Sequence, residues 1–321
     1  MASFGARPRV LVTHNDLPQD ALDLLKAKCN VTVMDSIKPK TAEILKLLPE
    51  YDALLGKTNI DAQFLDAAGS KLKIISTPSA GFDHLDVAEI KKRGIKVGNA
   101  SQVLSAAVAE VAVFLLLGAT RRAHEGRQQL EKGIVGSGFQ WMLGHDLRNK
   151  TVGIVGLGNI GVEIVKRLKP FEINKFVYTG HSRKKIGDEL NAEFVSFDKL
   201  LERSDFVVNC VPLNAKTEKL FGDIAFNKMK KSAVFVNIGR GKTVDTEALV
   251  RALNNRTIFA AGLDVTEPEP LPIGHELMKL SNALVIPHMG SATIETRTDM
   301  AIAAVQNILN GFESKPLLYE L

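Results

Sequence analysis

The segment TVGIVGLGNIG, Thr151 to Gly161, restricts what this chain can fold into more than any other stretch. An apolar run ends at Gly156, glycines recur at 158 and 161, and an uninterrupted helical pattern, IGVEIVKRLK, follows at once. Each glycine has its own use. Gly156 lets the chain turn sharply, Gly158 lets backbone N–H groups approach a pyrophosphate, and Gly161 lets the helix pack closely on the strand. Asn159 and Ile160 stand in the first turn of that helix, whose N-terminal end favours negative charge. A glycine-rich turn alone is a weak signal, but one set between a strand and a helix points to a dinucleotide.

On both sides of this segment, short apolar runs alternate with helical patterns. RVLVTH, VTVMD, YDALLG, LKIIST and IKVGNA read as strands, with helices at DALDLLKAKC, TAEILKLL and VAEIKKRG. The alternation restarts at Thr151, where TVGIVG, KFVYTG, DFVVNCV, AVFVNIG, FAAGLDV and ALVIPH are strand candidates. Such alternation implies parallel sheets covered on both faces. The expected fold is α/β, two doubly wound Rossmann-like domains with the active site in the cleft between them. The tail after His288 is too short for a domain and holds one helical pattern, TRTDMAIAAVQNILNGF, so it is expected to return to the first domain. This gives a discontinuous substrate domain, 1–102 with 289–321, and a dinucleotide domain, 103–288.

Composition narrows the function classes. Apolar residues at 45% and charged residues at 24% place the chain among ordinary globular proteins. A net charge of +5, spread along the sequence, suits an anionic cofactor or acid substrate as well as it suits nucleic acid, and no nucleic-acid partner is expected. Cys29 and Cys210 lie in or beside apolar runs and read as buried free thiols of a reducing compartment. With no secretory pattern at the start, the expectation is a cytoplasmic protein. Val103 to Thr120, VLSAAVAEVAVFLLLGAT, invites a membrane reading, but Glu110 stands near its middle and it is barely long enough to span. A buried helix is expected there, with no membrane partner and no metal.

The second strand of the dinucleotide pattern leads into VYTGHSRKK, Val177 to Lys185. An acidic side chain in this region normally accepts hydrogen bonds from the adenosine ribose and would repel a 2′-phosphate. None occurs between Phe176 and Gly187. Gly180, Ser182 and Arg183 supply instead a turn, a hydroxyl and a cation suited to a phosphate ester. NADPH is therefore the expected cofactor, with NADH the weaker alternative.

Three later segments bring candidate catalytic groups. NIGRG puts Arg240 beyond the strand AVFVN, LDVTEPEP puts carboxylates beyond FAAGLDV, and IPHMGSAT puts His288 beyond ALVIP. Ligands of open α/β sheets sit outside the carboxyl ends of strands, so all three can converge on one crevice.

With these residues in view, the chain resembles the D-isomer-specific 2-hydroxyacid dehydrogenase family over nearly its whole length, through VGIVGLGNIG, NIGRG, GLDVTEPEP and PHMGSAT. Within it the chain is similar to the glyoxylate reductase/hydroxypyruvate reductase group, on GFDHLDVAEIKKRGIKVGNA, RRAHEGRQQL with Trp141 nearby, the YTG turn and LDVTEPEPLPIGHELMKL. The resemblance implies reduction of glyoxylate and hydroxypyruvate to glycolate and D-glycerate. Arg240 would hold the 2-oxo acid through its planar fork, and His288 would protonate the carbonyl oxygen. Glu269 would pair with His288, since a hydrogen-bonded carboxylate favours the proton-carrying imidazole. Spacing alone leaves Glu267 as a competitor. The resemblance further implies that Asp264 binds the nicotinamide carboxamide, that Cys210 and Pro212 border the ribose, and that Ile238, Arg240, His288 and Gly290 line the cofactor. It gives Ala80, Gly81 and Lys57 to the substrate carboxylate. It also implies a homodimer built around Val103 to Arg121, with Trp141 reaching the neighbouring subunit's substrate. Alternatives within the family are a different 2-oxo acid, phosphoglycerate chemistry included, and a dinucleotide-sensing corepressor. The corepressor branch would bring long flexible tails, which the sequence does not display.

Overall fold

The computed structural model describes residues 7–321. The chain divides into two compact units, Met1–Leu104 with Ser291–Leu321, and Ser105–Gly290.

In the first unit five parallel strands, β1 (Arg9–Val12), β2 (Asn30–Val33), β3 (Ala53–Leu55), β4 (Ile74–Ser76) and β5 (Lys96–Gly98), lie in the order β2-β1-β3-β4-β5. Side chains alternate between the faces of a strand, and β1 shows the result. Val10 and Val12 pack on one face with Leu22 and Leu25 of helix Gln19–Lys28 and with Ala301, Ala304, Val305 and Ile308 of helix Ile294–Phe312. Leu11 packs on the other face with Ile44, Phe64, Leu65 and Ile90, from helices Thr41–Leu47, Ala62–Ala68 and Val87–Lys92. Asp61, Asp86 and Thr293 cap three of these helices through amides of Phe64, Glu89 and Thr296, each cap contributing about 1 kcal/mol.

The second unit has seven parallel strands: β6 (Thr151–Val155), β7 (Lys175–Thr179), β8 (Ala192–Phe194), β9 (Phe206–Asn209), β10 (Val234–Asn237), β11 (Ala260–Leu263) and β12 (Ala283–Val285). Their order is β12-β11-β10-β9-β6-β7-β8. The order reverses between β6 and β9, and the carboxyl ends of strands at such a switch point are where doubly wound sheets take ligands. On one face Phe221, Phe226 and Phe235 form a ring cluster with Leu249 and Leu253; each buried aromatic contributes about 2–3 kcal/mol.

The apolar run from Val103 is explained by helix Ser105–Thr120, which lies close to β11: a Cβ on Gly262 would stand 2.9 Å from Leu115 O. Glu110 points outward and pairs with Arg167 at 3.3 Å. No helix among the described residues is long and apolar enough to cross a membrane. Strand β8 has no counterpart among the strands expected from sequence. It is three residues long, and Glu193 and Phe194 are exposed, so no apolar periodicity marks it.

Candidate active site

The three fingerprint glycines serve three different needs. Gly156 has φ 97°, a left-handed conformation that side chains disfavour. A Cβ on Gly161 would stand 2.6 Å from Gly156 O, so the helix packs onto the turn only as glycine. A Cβ on Gly158 would meet nothing within 4 Å, which leaves open space at the start of helix Asn159–Leu168, whose N-cap makes no side-chain hydrogen bond. Uncapped first-turn amides facing open space fit a pyrophosphate. Next to this turn runs the loop after β9, where Cys210 N donates to Val155 O at 2.8 Å and Pro212 O accepts from Thr217 at 2.7 Å. Burial pushes the Cys210 thiol pKa up, which favours the neutral thiol, although the residue is only partly buried, unlike Cys29.

The basic turn after β7 is tied down from below. Tyr178, 1% exposed, accepts a hydrogen bond from Lys184 N at 2.8 Å and donates to Lys184 O at 3.3 Å. Ser182 and Arg183 are exposed, and a Cβ on Gly180 would meet nothing within 4 Å. Arg183 bonds Asp188 through Nε (3.2 Å) and Nη2 (2.7 Å). Asp188 directly follows the stretch Phe176–Gly187, which holds no carboxylate of its own.

Arg240, Glu269 and His288 follow β10, β11 and β12, three neighbouring strands. Glu269 Oε1 lies 2.6 Å from His288 Nδ1, and Glu269 Oε2 accepts from Thr266 N at 3.3 Å. A carboxylate only accepts, so Nδ1 carries the proton of that contact and Nε2 is left for another partner. Glu267 is placed differently, with its backbone oxygen accepting from Thr246 Oγ1 at 2.6 Å. His288 has φ 48°, uncommon for a residue with a side chain. Asp264 holds this turn: its backbone oxygen accepts from His288 N (2.8 Å), and its carboxylate from Met289 N (2.7 Å) and Gly290 N (3.0 Å). A Cβ on Gly290 would stand 2.7 Å from Asp264 Oδ2. Burial raises the Asp264 pKa, and the amide of Met289 opposes that shift. This clamp on the histidine turn is a task that spacing gave no sign of.

Arg240 sits between two glycines chosen for close approach. A Cβ on Gly239 would stand 2.7 Å from Val211 O, and one on Gly241 would overlap Thr266 O and the Glu267 amide. The arginine loop is thus pressed against both the loop after β9 and the Thr266–Glu269 segment. Ile238, 5% exposed, anchors it from the sheet, with its amide on Asn209 O at 3.2 Å.

In the first unit, Lys57 follows β3 and is exposed, and the Ser79–Gly81 loop follows the neighbouring β4. Asn99 Nδ2 donates to Ala80 O at 2.8 Å, and Ser79 Oγ to Gly81 O at 2.8 Å. Peptide planarity then turns the amides of Gly81 and Phe82 away from those donors. Trp141, in the second unit, is 42% exposed and lies against Gly136.

Residues 113–290 match the family model described as D-isomer specific 2-hydroxyacid dehydrogenase, NAD binding domain. The chain is 44% identical over 319 residues to a glyoxylate reductase/hydroxypyruvate reductase of Homo sapiens, covering 98% of this chain and 97% of that one. It is 43% identical over 317 residues to a glyoxylate reductase of Thermofilum pendens, covering 95% and 91% of the two. Among solved structures, an NADPH-dependent glyoxylate/hydroxypyruvate reductase from Sinorhizobium meliloti, in complex with NADP and malonate, superimposes with a TM-score of 0.86 at 29% identity over 98% of this chain and 97% of that one.

Proposed function

Because this chain belongs to the D-isomer specific 2-hydroxyacid dehydrogenase family, we propose that it reduces glyoxylate and hydroxypyruvate to glycolate and D-glycerate with NADPH. The observation that carries the reading is the 2.6 Å contact between Glu269 and His288 at the carboxyl end of the sheet that bears the glycine turn. With its pyrophosphate at that turn, NADPH would supply hydride from the nicotinamide to the 2-oxo carbon. Arg240 holds the acid and polarises its carbonyl with paired N–H donors. His288 gives a proton from Nε2 to the carbonyl oxygen, while Glu269 accepts from Nδ1 and holds the ring in its orientation. In the first unit, the amides of Ala80 and Gly81 and the Lys57 ammonium bind the carboxylate. Asp264 serves the nicotinamide carboxamide as well as the histidine turn.

Support for NADPH comes from Gly180, Ser182 and Arg183 after β7, and from the relative solved with NADP. Support for a homodimer comes from the second unit, where Phe114, Leu130, Val135, Phe139 and Leu143 are each more than half exposed and burial against a second copy would be favourable. Trp141 lies in the same stretch and is proposed to complete the neighbouring subunit's substrate site. Free Cys29 and Cys210 agree with a reducing, cytoplasmic setting.

His288→Ala tests the chemistry. Loss of the general acid should lower kcat by about a hundredfold to ten-thousandfold. Near-normal turnover would remove His288 from the reaction.

A further inference from the structure

Beneath Arg240 lies a polar network whose cost is not explained by packing. Asn209 ends β9, Asn237 ends β10, and the two are register partners, so their side chains meet. Thr243 stands in the turn that follows Arg240. All three are buried, at 0%, 1% and 0% exposure. Burying polar groups costs free energy unless each is satisfied, and apolar residues would fill the same space without that demand.

Here each group is satisfied, and the bonds run in one direction. Asn209 Nδ2 donates to Asn237 Oδ1 (3.0 Å) and to Thr243 Oγ1 (2.8 Å). Asn237 Nδ2 (3.1 Å) and Thr243 Oγ1 (2.6 Å) both donate to the backbone oxygen of Arg240. Asn237 Oδ1 also accepts from Gly239 N at 3.1 Å. Two side-chain donors therefore converge on one carbonyl, that of the arginine flanked by Gly239 and Gly241. Those glycines allow the tight approach described above, and the guanidinium Nη1 itself donates to Gly239 O at 2.8 Å. Holding the carbonyl, which also accepts from Thr243 N at 3.2 Å, fixes the peptide plane on the C-terminal side of Arg240 and so anchors the Cα from which its side chain leaves.

We propose that Asn237 and Thr243, set in place by Asn209, are positioning residues that aim Arg240 at the 2-oxo acid. This rests on the proposed role of Arg240 in binding that acid. Displacing a substrate-holding group by about 1 Å costs on the order of a hundredfold, so losing the relayed hydrogen bond acts on the acid more than on the cofactor.

The test compares Thr243→Val, which removes the relaying hydroxyl at nearly constant volume, with Thr243→Ser, which keeps it. Two quantities are read: kcat/KM for hydroxypyruvate, and the calorimetric Kd for oxalate, a mimic of a 2-oxo acid that cannot be reduced. Thr243→Val should lower kcat/KM and weaken oxalate about tenfold to a hundredfold, with the Kd of NADPH within about twofold. Thr243→Ser should lie near the parent. In an Arg240→Ala background, Thr243→Val should change the oxalate Kd by less than about twofold, because its effect runs through a residue already gone. Should the valine variant not fold, Thr243→Ala removes the same hydroxyl and is read the same way. Equal losses for oxalate and NADPH, no loss at all, or a full loss persisting without Arg240 would each overturn the positioning role. If Arg240→Ala itself leaves oxalate binding unchanged, the role of Arg240 falls, and with it the inference.

Discussion

Arg183, whose guanidinium would meet a 2′-phosphate, already holds the carboxylate of Asp188 at 2.7 Å. Both side chains are more than half exposed, and such pairs contribute only about 0–1 kcal/mol, so a phosphate dianion can take the arginine at little cost. Charge-assisted hydrogen bonds contribute about 1.5–3 kcal/mol. Arg183→Ala should therefore raise KM for NADPH by about tenfold or more and leave KM for NADH within about twofold; equal effects on both would detach the residue from cofactor choice. At this scale the sequence exposed residue types but not partners. The basic turn was legible because it replaces an expected acid in a short window. Asp188 was not, because only the helix Lys185–Glu189 folds it back onto Arg183. The same holds for Asp264, whose bonds to Met289 and Gly290 join residues 25 and 26 positions away. It holds also for Glu267 and Glu269, which spacing could not rank for the place beside His288.

At the scale of elements, strand β8 shows how an edge is held without a core of its own. Glu193 pairs with Lys175 of β7 at 2.6 Å and with Arg203 of helix Phe197–Arg203 at 2.9 Å. Hydrogen bonds from Arg203 and then Lys175 lower its pKa from the ordinary 4.5 to about 2. A carboxylate depressed in the folded state adds stability above its unfolded value and loses it as pH falls through the folded one. Glu193→Gln should thus melt below the parent at neutral pH, and the gap in Tm should close between pH 4.5 and about 2. A gap that does not change over that window would show that the pairs leave the edge unaffected. The other strands were legible because each is an apolar run bounded by a turn, as in DFVVN and AVFVN. Ala192–Phe194 offered neither signal. The Asn209–Asn237–Thr243 network escaped the sequence for a related reason: it depends on the register between β9 and β10, which no local pattern carries.

Across the whole molecule, the two units repeat one construction, a parallel sheet with helices on both faces, and this alternation was the most legible property of the chain. Its least local feature is the helix Ile294–Phe312, which packs on β1 of the first unit after the chain has traversed the second. The exposed apolar residues from Phe114 to Leu143 belong to this scale too. A dimer should give a scattering mass near twice 35.0 kDa, and Val135→Asp with Phe139→Asp should shift it toward the monomer, since charges on an apolar interface oppose association. A parent protein that scatters as a monomer would refute the homodimer.

The central claim is the reaction, and it is tested most directly by following nicotinamide absorbance with purified protein, hydroxypyruvate or glyoxylate, and each cofactor in turn. The account predicts rapid oxidation of NADPH with either acid and slow oxidation of NADH. Equal or faster use of NADH would contradict the reading of Gly180 to Arg183, and no turnover of either acid with either cofactor would contradict the reaction itself.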